Sequence, residues 1–355
     1  MRSEGNPCFF VFAIRRSKEV RQLYHSAKRR SSSRLMMFII ALIILIFGLG
    51  LNLSVGASDI GIIDSLKYLF VWDGSKEQLI ISTLRLPRTL IGVFVGASLA
   101  VAGALMQAMT RNPLASPQIF GVNAGASLFV VASLVILPAS PYSSVVFAFA
   151  GAAAGGAIVY MIASSGGMTP VKLALSGMAV HLFLSSMTQA IIILNESGED
   201  VLYWMTGAID GSNWHDVMTI APFSVIGIGL ALVFSGSVSV LGLGDETAKG
   251  LGQNMSGIRI LISFIILLLS GASVAVAGPI GFVGLLVPHI VRKLIGEHYQ
   301  YVLPFSALFG AILLVYADVL ARWIAFPYES PVGIVTAIIG TPFFLYLARK
   351  GRNLK

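Results

Sequence analysis

The chain has 355 residues, of which 56% are hydrophobic and 11% charged, with a formal net charge of +8. Soluble domains carry about 25% charged residues, so a single water-soluble core is excluded. Apolar runs of about 20 residues, enough to cross a hydrocarbon core of about 30 Å, recur along the whole length and exclude a β-barrel as well. The single cysteine, Cys8, rules out an internal disulfide or an all-cysteine metal cluster. The basic balance suits membrane edges rather than nucleic acid, because the Lys and Arg residues sit at the ends of the apolar runs.

Residues 1–34 hold nine Lys and Arg around a short apolar island, Cys8–Ile14, with no small-residue cleavage site after it. They read as a basic, membrane-hugging cytosolic tail. The first span is expected at about Leu35–Val55, followed by a polar segment, Ser58–Ser82. The second span, about Leu86–Met109, is rich in small residues that permit close helix contact, and Arg111–Pro117 breaks it. A third (about Phe120–Leu137) and a fourth (about Tyr142–Ser164) are separated by Pro138 and Pro141. The fifth covers about Leu173–Leu194. Within the polar stretch Glu196–Asp216, the piece Val201–Ile209 is amphipathic and suits the membrane interface. The sixth span is about Val217–Ser235 and the seventh about Ile258–Ala277. Gly278–Gly296 is expected as a short, broken eighth. The ninth lies at about Val302–Ala321, the tenth at about Val332–Ala348, and a basic cytosolic tail, 351–355, closes the chain.

Ten crossings place both termini on one side. With the termini inside, nineteen of the 24 Lys and Arg residues fall on cytosolic segments, as the positive-inside rule requires. An internal echo supports a two-fold plan. Gly96–Gly103 (GASLAVAG) recurs as Gly271–Gly278 (GASVAVAG), and at the same offset Pro113 matches Pro288 and Gly121 matches Gly296. The echoing helices are the second and seventh, which run in opposite senses, so the expected fold is an all-α polytopic bundle of about ten transmembrane helices with inverted internal repeats. The cytosolic placement of Arg292 and Lys293 fits that inversion least easily.

The stretch Ser239–Gly257 is a polar interruption between two apolar runs. Asp245–Lys249 suits one or two helical turns bracketed by glycines. It reads either as a solvated loop or as a handle by which a soluble partner moves the membrane part. No phosphate-cradling Gly-Lys-Ser/Thr string, metal-ligand cluster or nucleophile–base set is present, so the chain has no means to hydrolyse ATP itself. Asp318 is the one acidic residue inside an expected span, a helical turn from Arg322, and is read as a structural pair or as a proton relay. His181, Ser185, Thr188 and Gln189 form one polar stripe on the fifth helix, either lining a wet path or bonding a neighbouring helix. Arg85, Arg88 and Arg322 lie near helix ends on the outer side, as anchors or as a docking surface for an acidic partner.

Leu84-Arg-Leu-Pro-Arg88, Gly96–Gln107, Asn112–Pro117, Tyr203-Trp-Met205, Leu243–Gly252 and Gly278–His289 resemble the permease subunits of the iron-siderophore and vitamin B12 ABC importers, over residues 35–350. The resemblance implies a multi-pass permease of the bacterial plasma membrane, carrying no cofactor of its own, with ATP and magnesium on partner subunits. Those partners are a second permease copy or paralogue, two cytosolic ATPases and an external substrate-binding protein or lipoprotein; membrane lipid surrounds the chain and no nucleic acid is involved. It assigns ATPase coupling to Leu243, Gly244, Asp245, Glu246, Ala248, Leu251 and Gly252. It assigns binding-protein docking to Arg85, Arg88 and Arg322, and narrowing of the cytosolic exit to Asn112 and Leu114. Pro170-Val171 departs from the small polar gate residues of the B12 permeases, and the basic tail is longer than the family pattern. The cargo expected is a ferric siderophore, with B12 or haem as alternatives; an ion-coupled secondary transporter is the rival of a different class.

Overall fold

A computed structural model describes residues 32–56, 60–117, 121–136, 143–165, 170–195, 199–242, 244–326 and 328–352. The chain divides into two units, Met1–Ile44 and Leu45–Lys355. The described part of the first is the opening half of helix α1, Ser32–Ser54. Most of the expected basic tail, and the last three residues, therefore lie outside the described residues. Everything below concerns the second unit, which among the described residues is helical without strands.

After α1 come two short helices, α2 (Ile62–Lys67) and α3 (Lys76–Ile80), a π turn at Ile81–Arg85, and α4 (Leu86–Thr110). Helices α5 (Val122–Ile136), α6 (Ser143–Ser164) and α7 (Pro170–Leu194) follow, then the short α8 (Glu199–Met205) and α9 (Trp214–Val233). Two small helices, α10 (Ser235–Gly242) and α11 (Asp245–Gly250), precede α12 (Met255–Ala277), α13 (Val283–Ile295), α14 (Tyr299–Ala325) and α15 (Val332–Arg352). Among the described residues, seven helical stretches are long and apolar enough to span a bilayer, including the continuous rod Lys76–Thr110; α5 and α15 are shorter apolar helices. The expected eighth crossing falls on α13, which at 13 residues is shorter than a full span.

Local chemistry sets the helix starts. Ser75 caps α3 by accepting the Gln78 amide, and Asn213 and Asp216 form a capping box at α9. Asn254 caps α12 through the Gly257 amide. Three boundaries differ from expectation. The second span begins ten residues early, at Lys76, because a π turn lets the helix run through Ser82 and Thr83 into α4. The polar stretch after α9 is helical over Ser235–Gly242. The eighth segment is broken only at its entrance: Gly278, at φ +65, makes a turn, and α13 then runs unbroken past Pro288.

The segment around α8 also differs from the expected surface helix. Leu202 is exposed, but the turn that follows Met205 is tied to two helix termini. The Ala208 amide donates to the Ala277 carbonyl at 3.0 Å, and the Gly333 amide to the Gly207 carbonyl at 2.8 Å. Tyr203 is held neutral there, its hydroxyl pushed up to about 12 by burial and by the negative charge of Asp210.

Helix α4 is the centre. Its apolar window is 83% buried, against 28% for α7. A helix apolar on every side belongs inside, and α4 packs on α9, α12, α13 and α14. The packing is reciprocal. As α4 meets α14 and α13, so α12 meets α6 and α5; α5 with α6 and α7 is echoed by α13 with α14 and α15. Exchanging α4–α7 for α12–α15 therefore maps the contact pattern onto itself, as inverted repeats require. Inversion leaves the ends of α4 and α13 on one face, so the position of Arg292 and Lys293 agrees with it.

Glycine makes the central contacts possible. A Cβ on Gly96 would lie 2.3 Å from the Gly310 carbonyl oxygen of α14, and one on Gly103 would lie 1.9 Å from the Gly284 oxygen of α13. Both obstacles are backbone, which cannot rotate aside. Gly103→Ala should therefore force α4 and α13 apart and cost about 1–3 kcal/mol. The check is thermal unfolding of the purified protein in detergent; Gly229→Ala, which opens onto free space, should leave the midpoint within a degree or two of the parent.

Candidate functional site

One end of the bundle gathers the three expected arginines, two of them on a single carboxylate. The Arg88 guanidinium donates to Asp318 through Nε at 3.0 Å and Nη2 at 2.8 Å, and through Nη1 to Glu329 at 2.6 Å. Arg322, one turn beyond Asp318 on α14, donates to its other oxygen at 2.7 Å. Asn52 on α1 donates to the same oxygen at 2.9 Å and accepts from the Thr89 hydroxyl at 2.7 Å. Arg85 donates to the Leu53 and Ser54 carbonyls at 2.7 and 2.6 Å, and Arg322 to the Val55 carbonyl at 2.6 Å. These bonds satisfy carbonyls that the end of α1 leaves without helical partners.

Asp318 is fully buried, and Arg85, Arg88 and Arg322 are nearly so. A buried charge is tolerated only when paired and hydrogen-bonded. Here one interior carboxylate serves two cations. The three arginines and Glu329 line a cavity of about 480 Å³ with Gly56, Leu84, Gly211 and Ser212. Glu329 is half exposed at its rim. The arginines thus face a shared hollow rather than the outer surface.

The opposite end holds the expected coupling and exit residues. Helix α11 forms over the polar stretch: Gly244, Asp245, Glu246 and Ala248 belong to its start and first turns, while Leu251 and Gly252 follow it. Leu243 lies outside the described residues. Ala248 is buried against the protein's own α10 and α12, whereas Leu251 is 64% exposed. Gln253 ties the unit down by donating to the Ser237 carbonyl at 3.1 Å. Gly244 neighbours the Arg111 guanidinium, and Arg111 itself takes a left-handed φ of +50 where α4 stops. Asn112 then caps the turn by accepting the Leu114 amide at 2.9 Å, so coupling and exit residues are neighbours. Between them opens a cavity of about 530 Å³ bordered by Gln107, Arg111, Ser239, Arg292, Glu297 and Tyr299. Arg292 donates to the Gln107 side chain, and the Tyr299 amide donates to Ser239 at 3.2 Å. The last bond fastens α10 to the first residue of α14.

The stripe on α7 is only partly a stripe. His181 and Gln189 are exposed and Ser185 half-buried, but Thr188 is buried and bonded to the Leu184 carbonyl of its own helix at 2.9 Å. Val171, after Pro170 in the first turn of α7, is 68% exposed. Sequence reasoning missed the pairing of Asp318 with Arg88, the parts of Asn52 and Glu329, and the Gln107–Arg292 contact. An asparagine within the apolar α1 was the signal for the part of Asn52, since a lone amide in such a helix needs a partner.

Comparison with known proteins places the chain among transporters. Residues 42–350 match the FecCD transport family. The chain is 97% identical to the Fe(3+)-citrate import system permease protein YfmD of Bacillus subtilis (strain 168), over 94% of this chain and 100% of that one. It is 42% identical to the iron(3+)-hydroxamate import system permease protein FhuB of the same organism, over 97% of this chain and 93% of that one. Among solved structures, a metal-chelate type ABC transporter in an inward-facing conformation superposes with a TM-score of 0.79 at 27% identity, covering 89% of this chain and 99% of that one.

The arginine network predicts a sharp contrast between its two acids. Asp318→Asn keeps the shape but leaves two buried guanidinium groups short of a counter-charge, which should cost about 3–5 kcal/mol. Glu329→Gln, at the wet rim, should cost no more than about 1 kcal/mol. Thermal unfolding of the two variants side by side measures the difference, and equal losses would contradict the assignment of Asp318 as the hub.

Proposed function

Since the chain belongs to the FecCD transport family, we propose that it is the permease subunit of an ATP-driven importer for a ferric siderophore, with ferric citrate the first candidate cargo. The near-identity to all of an Fe(3+)-citrate permease carries the reading. It performs no covalent chemistry. An external binding protein, a lipoprotein or a soluble protein, delivers the chelate, and two cytosolic ATPases with bound ATP and magnesium supply the work. The chain sits multi-pass in the bacterial plasma membrane with both termini cytoplasmic and pairs with a second permease.

The arrangement of the two ends supports this reading. Helix α11, with Gly244, Asp245, Glu246 and Ala248 and the flanking Leu243, Leu251 and Gly252, is the piece the ATPase grips. A push on it reaches α14 through the Ser239–Tyr299 bond, and reaches α4 through Arg111. Asn112 and Leu114, beside it, narrow the exit. At the far end, Arg85, Arg88 and Arg322 set the shape and positive balance of the hollow that meets the binding protein. The α7 residues His181, Ser185, Thr188 and Gln189 border the path between two permeases. An ion-coupled carrier working alone would need a free carboxylate in the membrane, and Asp318 is already held by Arg88, Arg322 and Asn52.

Uptake of radiolabelled iron settles the cargo. In cells lacking the chain, restoring it should restore ferric citrate uptake, and no uptake with citrate but uptake with a hydroxamate, haem or cobalamin would redirect the assignment. Glu246→Lys should abolish co-purification of the ATPase and reduce uptake at least tenfold while the permease still reaches the membrane. Retention of both ATPase and transport would refute the coupling role of α11.

A further inference from the structure

The segment between α1 and the Lys76–Thr110 rod carries apolar side chains that its own fold does not cover. One flank is inward: Ser65 of α2 is buried and its hydroxyl reaches the Leu53 carbonyl at 3.5 Å. Ile60, Leu53 and Ile81 form a small core there, against which Tyr68 and Leu69 pack. The other flank is outward. Ile63 is 82% exposed, Phe70 85% and Trp72 79%, with Ile62 and Leu66 also exposed beside them. On a helix, Ile62, Ile63 and Leu66 share one side and Lys67 borders it. That is an apolar arc edged by one cation whose stem can snorkel.

Depth decides what covers this arc. The bond from Ser65 to Leu53 holds α2 level with the last turn of the membrane-spanning α1, so it does not stand off in water. The other tryptophans lie at the same end: Trp204 in α8, Trp214 at the start of α9 and Trp323 near the end of α14, the last 74% exposed with Phe326 and Tyr328 nearby. Trp214 donates its indole N–H to the Ser82 carbonyl of the rod at 2.9 Å, which places the belt and the segment at one height. All four tryptophans of the chain therefore occupy one end, as side chains with an apolar body and a polar tip do where lipid meets water.

We propose that Ile62–Trp72 is a monotopic wedge: its outward face lies in the headgroup–acyl boundary of the bilayer, and the occupant of that face is lipid. The wedge fixes the height of the rod's π turn, and with it the arginine network that Arg85 and Arg88 begin. Charge agrees, because on α2 Asp64 falls outside the apolar arc of Ile62, Ile63 and Leu66 while Lys67 borders it.

Site-directed spin labelling tests the assignment. Cys8→Ser removes the one native thiol, and Phe70→Cys or, separately, Ile63→Cys introduces a labelling site in the full chain. The labelled protein is reconstituted in vesicles of phosphatidylethanolamine and phosphatidylglycerol. Nitroxides at 63 and 70 should be relaxed more by oxygen, which partitions into lipid, than by a water-soluble nickel chelate; a label at Asp73→Cys should show the reverse order. Greater relaxation by nickel than by oxygen at both 63 and 70 would overturn the proposal. So would protection from both reagents, the mark of a protein docked on the face. Two sites guard against one variant failing to fold.

Discussion

The backbone-to-backbone approach of α4 to its neighbours at Gly96–Gly310 and Gly103–Gly284 is the constraint on which the architecture rests. In lipid there is little hydrophobic gain in helix association, so dispersion contacts and interhelical hydrogen bonds must supply it. Helices whose axes approach this closely gain both. Once α4 is fixed against α13 and α14, both end sites are largely determined. The rod delivers Arg88 to Asp318 at one end and Gln107 to Arg292 at the other.

The two ends solve opposite electrostatic problems. At the arginine end, Asp318 offsets Arg88 and Arg322 while the carbonyls at the end of α1 accept from Arg85 and Arg322, which lets three guanidinium groups sit nearly dry. At the α11 end, besides the Arg292–Gln107 bond, the fastening is done by neutral groups: Ser239, Tyr299, Gln253 and Asn112. The first arrangement resists movement, because any separation leaves a buried ion unpaired. The second is built of bonds each worth about 1 kcal/mol, so it can be remade as the structure shifts.

Much of this was readable in the residues. Long apolar runs announced the crossings, and the GAS…AVAG echo announced the repeat, because small residues are what helix crossings in lipid need. The polar stretch at Asp245–Lys249 stood out for the same reason any charge does in such a chain. What escaped was tertiary. The i, i+4 spacing of Asp318 and Arg322 could be seen, but nothing local points from Asp318 to Arg88, 230 positions away. Helix α10 was hidden because Ser235, Gly236, Ser237 and Ser239 have the composition of a loop, and packing against α4 and α14 overrides that propensity. The early start of the second span was hidden likewise: Ser82 and Thr83 look like a break, yet both return their hydroxyls to the Leu79 carbonyl and stay helical.

The glycine contacts also limit how the bundle deforms. Gly103 is flanked by Ala102 and Ala104, and Gly96 by Val95 and Ala97, so an axial slip of one residue drives a methyl or larger group into a carbonyl with no room to yield. Screw and piston motions of α4 along α13 or α14 are thereby closed off. Tilting about the crossing points is not, since it leaves each hydrogen-only side chain where it is. The glycine crossings therefore act as pivots: they hold the register of α4 along α13 and α14 and leave its tilt as the freedom between them.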